Sequence, residues 1–497
     1  MNPDLIHWRA QLTPDRPALW CAGRWLNYAQ LDQRATRLAR RLQGAGVRRG
    51  DRVGILALNH VAHFDLLLAA PKLGFIYTPF NYRLCAQEQQ QLADDVRPAL
   101  LLVDARHAGL ASGLRCPVQR LDAYEDWLAG APAEPLPAAG LGAEDLHMLL
   151  FTGGSTGLPK AACLPYRQTL GNCVRTVDAW SLTAADCAIQ VTPCFHAALN
   201  VLATPLLYAG GRVVLMPQFD AGQYLALAAT HGATRLFMVP TMYQMLAEHP
   251  DFARADLQQV RWAISGGAAC PPALREAYAR RGIPLHQGFG MTEAGVNCFV
   301  TRPAEAAQWP DTVGRPLPGT EAVIRRADGH PCAVDEIGEL TLRGPHLCAG
   351  YFERPQEWAR ACRDGWLWTG DLARCNAQGL YFIAGRAKEM FISGGENVYP
   401  LEVEAALGQC RGVAECAVLG IPHPKWGEVG LAAVVMQPGH APDAEALRAE
   451  LRSRLAGYKV PREFFFLPGL PKTGAGKLAR PEIRRLYARS APQEQCA

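Results

Sequence analysis

Two lysines lie in glycine-rich settings more than 300 residues apart. The first stretch, "LLFTGGSTGLPKAA" (149–162), sets Gly153, Gly154, Ser155, Thr156 and Gly157 between Thr152 and Lys160. The second, "LPKTGAGKLARPEI" (470–483), runs its glycines into Lys477. Glycines let backbone amides turn toward an anion, hydroxyls add donors and a lysine adds charge, so each stretch has the means to hold phosphate. Neither is a Walker A loop. Lys160 follows Pro159 instead of glycine, and Gly476-Lys477 lacks the leading glycine and is followed by Leu478.

Three further stretches carry chemistry between them. In "HQGFGMTEAG" (286–295) two glycines precede Thr292-Glu293, a hydroxyl that can donate to phosphate and a carboxylate that can hold a phosphate-bridging Mg²⁺. "WLWTGDLA" (366–373) offers one carboxylate, Asp371, which reads as part of a tight turn flanked by aromatics. "AGRAKEMFISGGENVYP" (384–400) gives Arg386 and Lys388, then the pair Gly394-Gly395. His196, in "TPCFHAAL", stands on an apolar background.

A chain of 497 residues is too long for one core, and its length predicts two to four domains. The composition is globular, 49% apolar and 19% charged. A net charge of +4, with no basic run interleaved with aromatics, argues against nucleic-acid binding. From Arg386 onward there are 15 Lys+Arg against 12 Asp+Glu, an excess that favours an anionic ligand near the C-terminal part. Sixteen cysteines without a C-x-x-C pair read as reduced thiols used as small core residues. The start, "MNPDLIHWRAQLTPDRP", has no apolar segment behind a basic head, and the best membrane candidate, "FDLLLAAPKLGFIYTPF", is cut by Pro71 and Lys72. A cytoplasmic protein without a membrane span is expected.

The elements that must position these residues show in the apolar pattern. Residues 28–46 carry Leu31, Ala35, Leu38 and Leu42 at helical spacing, stopped by Gly44 and Gly46. Apolar runs at 52–58, 99–104, 147–151, 187–192, 212–216, 234–239 and 261–265 predict buried strands, with helices at 220–231 and 271–281. That alternation predicts an α/β body with parallel-rich sheets. Around 313–385 short strands with turn signals predict a small antiparallel module. After Arg386–Lys388 the pattern reads helix, strand, strand, helix, strand, enough for a small α+β domain. The expected division is an N-terminal domain over 1–387 and a C-terminal lid over 388–497. The two lysine clusters then belong to different domains.

In their order and spacing the five stretches resemble the adenylate-forming superfamily: acyl- and aryl-CoA synthetases, peptide-synthetase adenylation domains and luciferases. The resemblance covers nearly the whole chain. It implies a two-step reaction, in which a carboxylate and MgATP give acyl-AMP and pyrophosphate and a thiol then takes the acyl group. Carried onto these residues, it implies that Thr152, Gly153, Gly154, Ser155, Thr156, Gly157 and Lys160 hold the β- and γ-phosphates. Gly266, Gly267, Ala268, Gly288, Phe289 and Gly290 would flank the adenine, with Met291 also in the ATP site. Thr292 would meet the α-phosphate, Glu293 the Mg²⁺, and Asp371 the ribose hydroxyls beside Arg386. Lys388 matches the hinge on which the lid swings, and Lys477 the catalytic lysine that the lid delivers. His196 matches a histidine at the carboxylate and thiol entrance. Ala161 replaces the glycine most relatives have after the loop lysine, and Gly154 sits at a variable loop position; neither change removes a charge or a donor.

The thiol is read as coenzyme A. "ISGGENVYPLEVE" is like the CoA ligases, with Gly394 and Gly395 forming a narrow slot for pantetheine and Trp426 near it by similarity. The alternative is a free-standing adenylating enzyme that loads a carrier protein. For the acid, His196, Ala197, Asn200, Val239 and Met291 would build the pocket. Small residues there leave room, and no lysine or arginine marks a place for a second carboxylate, which fits a medium-chain fatty or aryl monocarboxylic acid.

Overall fold

A computed structural model describes residues 3–152, 159–393, 396–473 and 477–490. They group into two units. Unit 1 takes in Met1–Gly266, Leu274–Ala322 and Leu342–Leu367; unit 2 takes in Gly267–Ala273, Val323–Thr341 and Trp368–Ala497.

In unit 1 all seven predicted strands form, and they fall into two sheets. One has six strands in the order Val118–Arg120, Leu100–Val103, Arg52–Leu56, Ile76–Pro79, Leu146–Thr152, Lys160–Pro165. It is parallel except for the last pair, an antiparallel hairpin that spans the first glycine cluster. The other has seven strands in the order Leu285–Gln287, Trp262–Ser265, Arg235–Met238, Cys187–Gln190, Arg212–Leu215, Pro17–Cys21, Arg24–Asn27. It too is parallel except for the final hairpin. Short apolar strands buried on both faces need covering helices, which is why they alternate with helices in the chain. One apolar cluster joins Val53 and Ile55 of the first sheet to Leu19 and Val213 of the second through the helices Tyr28–Gly44 and Val61–Leu73.

The helix Val61–Leu73 contains Pro71 and Lys72, the two residues that cut the apolar run. Pro71 reads as a breaker, yet the helix continues through it. Proline lacks the N–H that would bond to the carbonyl of Leu67. That carbonyl is bonded instead by Nε2 of buried His147 at 3.1 Å, while Nδ1 of the same ring lies 3.0 Å from the Thr169 hydroxyl. Burial holds the His147 pKa down to about 4, so the neutral ring donates through Nε2 and accepts through Nδ1. Lys72, the other apparent interruption, is placed against Asp4 and Asp32. Among the described residues no helix is long and apolar enough to cross a membrane.

Unit 2 is built on an antiparallel sheet. Glu396–Val398, Phe391–Ser393, Gly427–Met436 and Val413–His423 lie in that order, and Glu463–Phe466 joins Gly427–Met436 in parallel. Side chains alternate faces along a strand. Val418, Ala432 and Val434 therefore meet the helices Pro400–Leu407 and Ala444–Arg452, through Val403, Leu407, Leu447 and Leu451. Ala417, Leu419, Leu431 and Ala433 point the other way, toward Ile483 of the helix Arg480–Ser490. The helix-strand-strand-helix-strand order expected after Lys388 is present; the final helix was not foreseen.

Candidate functional site

Several residues of unit 1 singled out by sequence lie at strand ends. Arg235–Met238, Trp262–Ser265 and Leu285–Gln287 run parallel with Met238 opposite Ser265 and Ser265 opposite Gln287. Their carboxyl ends therefore deliver Val239, Gly266 and Gly288 to one edge of the sheet, where ligands of open α/β sheets bind. The chain from Gly288 then folds back on itself. Cys298 N–H donates to the Phe289 carbonyl at 3.2 Å, and Val296 N–H to the Met291 carbonyl at 3.0 Å. This return brings the backbone so close that a Cβ on Gly290 would sit 1.5 Å from the Val296 carbonyl oxygen. No side chain fits there, which is a physical reason for glycine. Thr292–Ala294 forms a short 3₁₀ turn, with the Thr292 carbonyl accepting from Gln168 Nε2 at 3.0 Å.

The first phosphate-loop residues bracket a hairpin. Thr152 pairs with Lys160 in register, and Gly153, Gly154, Ser155, Thr156 and Gly157 lie outside the described residues. The Lys160 ammonium is ion-paired with Glu357 and stands 5.3 Å from the centroid of the Tyr351 ring. The Tyr351 hydroxyl donates to Glu293 Oε1 at 2.9 Å. The Glu293 backbone is fixed as well, its carbonyl accepting from Cys348 N–H at 2.7 Å. Sequence reading passed over Tyr351 and Glu357. Their only local signal is "GYFERPQE", a tyrosine behind a glycine and a glutamate two residues after the proline that starts the helix Pro355–Ala361.

His196 precedes and caps the 3₁₀ turn Ala197–Asn200. Of the proposed acid-pocket residues, Asn200 has its polar atoms committed inside the core. Its amide donates to Met148 Sδ at 3.3 Å, and its Oδ1 accepts from the Thr204 hydroxyl at 3.2 Å.

In unit 2, Asp371 is mid-strand and not in the tight turn expected from "WTGD". Trp366–Cys375 runs through it, with Gly370 at φ +72° and a register shift just after Leu372. The partner strand Tyr381–Arg386 puts Arg386 directly opposite, its Nε 2.6 Å from Asp371 Oδ1. The other oxygen, Oδ2, is buried and has no hydrogen-bond partner among the described residues. Burial pushes the Asp371 pKa up to about 6 against the pull of Arg386 and Lys477. A buried carboxylate oxygen with nothing to accept from is costly unless a ligand supplies the donors.

Lys388 lies exposed in a turn closed by Glu389 and Met390 N–H groups donating to the Arg386 carbonyl. Lys477 follows a backbone hairpin in which Thr473 N–H donates to the Lys477 carbonyl at 2.7 Å and Lys477 N–H to the Thr473 hydroxyl at 3.3 Å. Three residues on, Arg480 binds Glu404 at 2.8 Å and Glu389 at 3.1 Å, tying this hairpin to the segment just after Lys388. Trp426 has Lys425 at 4.9 Å and Arg462 at 5.2 Å from its ring, a cationic setting suited to an anionic ligand. Gly394 and Gly395 lie outside the described residues, and Ser393 and Glu396 pair across them.

No three carboxylates, imidazoles or thiols converge among the described residues. A single buried carboxylate, Glu293, fits an ion that takes most of its ligands from phosphate oxygens and water, as Mg²⁺ does.

Comparison with known proteins identifies the family. Residues 6–352 match the family model "AMP-binding enzyme" and residues 402–477 match "AMP-binding enzyme C-terminal domain". The chain is 40% identical over 496 residues to a feruloyl-CoA synthase of Amycolatopsis sp, spanning 98% of this chain and 99% of that protein. It is 34% identical over 512 residues to an indoleacetate–CoA ligase of Aromatoleum aromaticum, spanning 99% and 100%. The crystal structure of the anthranilate CoA ligase AuaEII in complex with anthranoyl-AMP superposes with a TM-score of 0.92 at 27% identity, over 99% of this chain and 98% of that one. With both family models matched in order and the similarity running nearly end to end, the chain belongs to the AMP-binding, adenylate-forming enzyme family, in its CoA-synthetase branch.

Proposed function

We propose that this chain is an AMP-forming carboxylic acid:CoA ligase of the cytoplasm, acting on an aryl monocarboxylic acid. The observation that carries the nucleotide half of the reading is Asp371, whose buried Oδ2 lacks a donor while Arg386 fixes Oδ1. A ribose diol supplies the missing donors. The acid class rests on similarity to proteins named for feruloyl, indoleacetyl and anthranoyl groups. It rests also on the small or apolar side chains of Ala197, Val239 and Met291.

In the first half-reaction an oxygen of the substrate carboxylate attacks the α-phosphorus of ATP, and the bond to the bridging oxygen breaks to release pyrophosphate. Both reactants are anionic, so the transition state gathers charge that positively charged donors must stabilise. Lys160 holds the β- and γ-phosphates, Thr292 donates to the α-phosphate, and Lys477 stabilises the transferring oxygen and the α-phosphate. Glu293 would hold Mg²⁺, which neutralises phosphate charge when bound. In the second half-reaction the thiolate of coenzyme A attacks the acyl carbon and AMP leaves. Lys477 would obstruct that approach, and a torsional change at Lys388 withdraws it, giving a division at 387/388 between body and lid. His196 orients the carboxylate and guards the thiol entrance. A thiol of pKa about 8.5 already supplies some thiolate near neutrality, so no general base is required.

The test is a panel of ferulate, indoleacetate, anthranilate, medium-chain fatty acids and a dicarboxylate, each with MgATP and CoA, with acyl-CoA and AMP quantified. An aryl monocarboxylate should exceed the dicarboxylate in kcat/KM by at least about tenfold, the discrimination expected when a buried charge is left unpaired. Acyl-AMP formed without thioester would point to a carrier protein as acceptor. A preference for the dicarboxylate would overturn the pocket assignment.

A further inference from the structure

The cation of the first cluster is already occupied. Lys160 is ion-paired with Glu357, the two side chains being 16% and 29% exposed. Glu357 stands in the first turn of Pro355–Ala361, and Arg354 approaches its Oε1 at 3.5 Å while itself binding Asp95 at 2.6 Å. The neighbouring Trp358 meets the Tyr351 ring edge-on at 5.6 Å. The same tyrosine faces the Lys160 ammonium with its ring and bonds Glu293 with its hydroxyl. A carboxylate is thus presented, by a fixed helix turn, to the lysine assigned to the phosphates.

Resting on the reading of Lys160 as a phosphate ligand, we propose that Glu357 is a built-in competitor of the polyphosphate. It holds Lys160 when the phosphate site is empty, gives it up to triphosphate, and takes it back as pyrophosphate leaves. A carboxylate carries one negative charge and a triphosphate several, so the nucleotide wins the lysine. The exchange nevertheless subtracts the Lys160–Glu357 attraction from the binding of any polyphosphate. That serves a two-step reaction, because pyrophosphate retained after adenylation would hold the enzyme in its first configuration and favour reversal. The replacement anion is already attached to the protein.

The test is calorimetric titration of the full-length protein with Mg²⁺ and α,β-methylene-ATP, and separately with inorganic pyrophosphate, in wild type, Glu357→Gln, Lys160→Met and the double variant. Glu357→Gln should bind both probes about two- to fivefold more tightly, the range of a partly exposed ion pair. Glu357→Ala should shift affinity in the same direction. Lys160→Met should bind about tenfold or more weakly, and adding Glu357→Gln to it should change nothing. Tighter binding is not the signature of a residue that merely supports the fold. Unchanged or weaker binding in both Glu357 variants, with Lys160→Met still impaired, would overturn the competitor role and leave the lysine assignment standing. Wild-type affinity in Lys160→Met would overturn the lysine assignment, and the competitor role with it.

Discussion

Lys477→Ala cripples acyl-adenylate formation and leaves thioester formation from supplied acyl-AMP nearly intact. The expected loss in the first half-reaction is about 10²–10³ in rate, the cost of removing one donor aimed at a charge-gathering transition state. The prediction is asymmetric for a physical reason. Adenylation brings two anions together and needs the ammonium, whereas thiolysis expels AMP and needs room for the pantetheine arm. The backbone around Lys477 is held independently of its side chain, by the Thr473–Lys477 hairpin and by Arg480 on Glu404 and Glu389. Truncation at Cβ therefore leaves the loop in place. Acid-dependent exchange between pyrophosphate and ATP reads the first step, and CoA consumption with synthetic acyl-AMP reads the second. Equal loss in both, with folding intact, would show that Lys477 does not act in one step alone.

Asp371→Asn weakens ATP binding by about tenfold or more and at the same time stabilises the folded chain. The first effect follows from replacing a charged acceptor by a neutral amide, hydrogen bonds to charged groups being worth about 1.5–3 kcal/mol. The second follows from the pKa of Asp371, pushed by burial from the ordinary carboxylate range up to about 6. The folded-state value is raised, so below about pH 4 the carboxyl is neutral in both states and costs the fold nothing. As pH rises from about 4 to 6 the unfolded chain ionises first and folded stability falls. Above about pH 6 the full penalty applies, on the order of 3 kcal/mol. The asparagine variant should therefore unfold at a higher temperature than wild type at pH 8, with the difference vanishing near pH 4. Wild-type ATP affinity should decline as pH falls through about 6 and the asparagine variant's should not. A variant with lowered thermal midpoint at pH 8 and undiminished ATP affinity would remove Asp371 from the nucleotide site.

The body of the fold was legible because buried parallel strands are short apolar runs set between helices, and each run has one stable solution. What that reasoning does not carry is how the helix Val61–Leu73 accommodates Pro71, since the compensating hydrogen bond comes from His147, 76 residues away in sequence. It failed at Asp371 because a glycine before an aspartate signals a turn equally well when the chain only kinks within a long strand. Arg480–Ser490 escaped notice because it buries only Ile483 fully, too little for an apolar stripe. Of the residues proposed to act, Lys160, Glu293, Asp371 and Lys477 stand out in the sequence as charged residues in unusual settings. Glu357 does not, because an ordinary glutamate on a short helix becomes notable only once a lysine from a distant hairpin is set beside it.

The most direct test of the chemistry uses a substrate acid with ¹⁸O in both carboxylate oxygens. Adenylation requires one of those oxygens to form the bond to the α-phosphorus, and thiolysis then leaves it on the departing nucleotide. The predicted result is one ¹⁸O in the AMP and one in the acyl-CoA carbonyl, read by mass spectrometry after a single turnover with MgATP and CoA. Unlabelled AMP, or ¹⁸O in orthophosphate with ADP as the nucleotide product, would contradict an acyl-adenylate pathway.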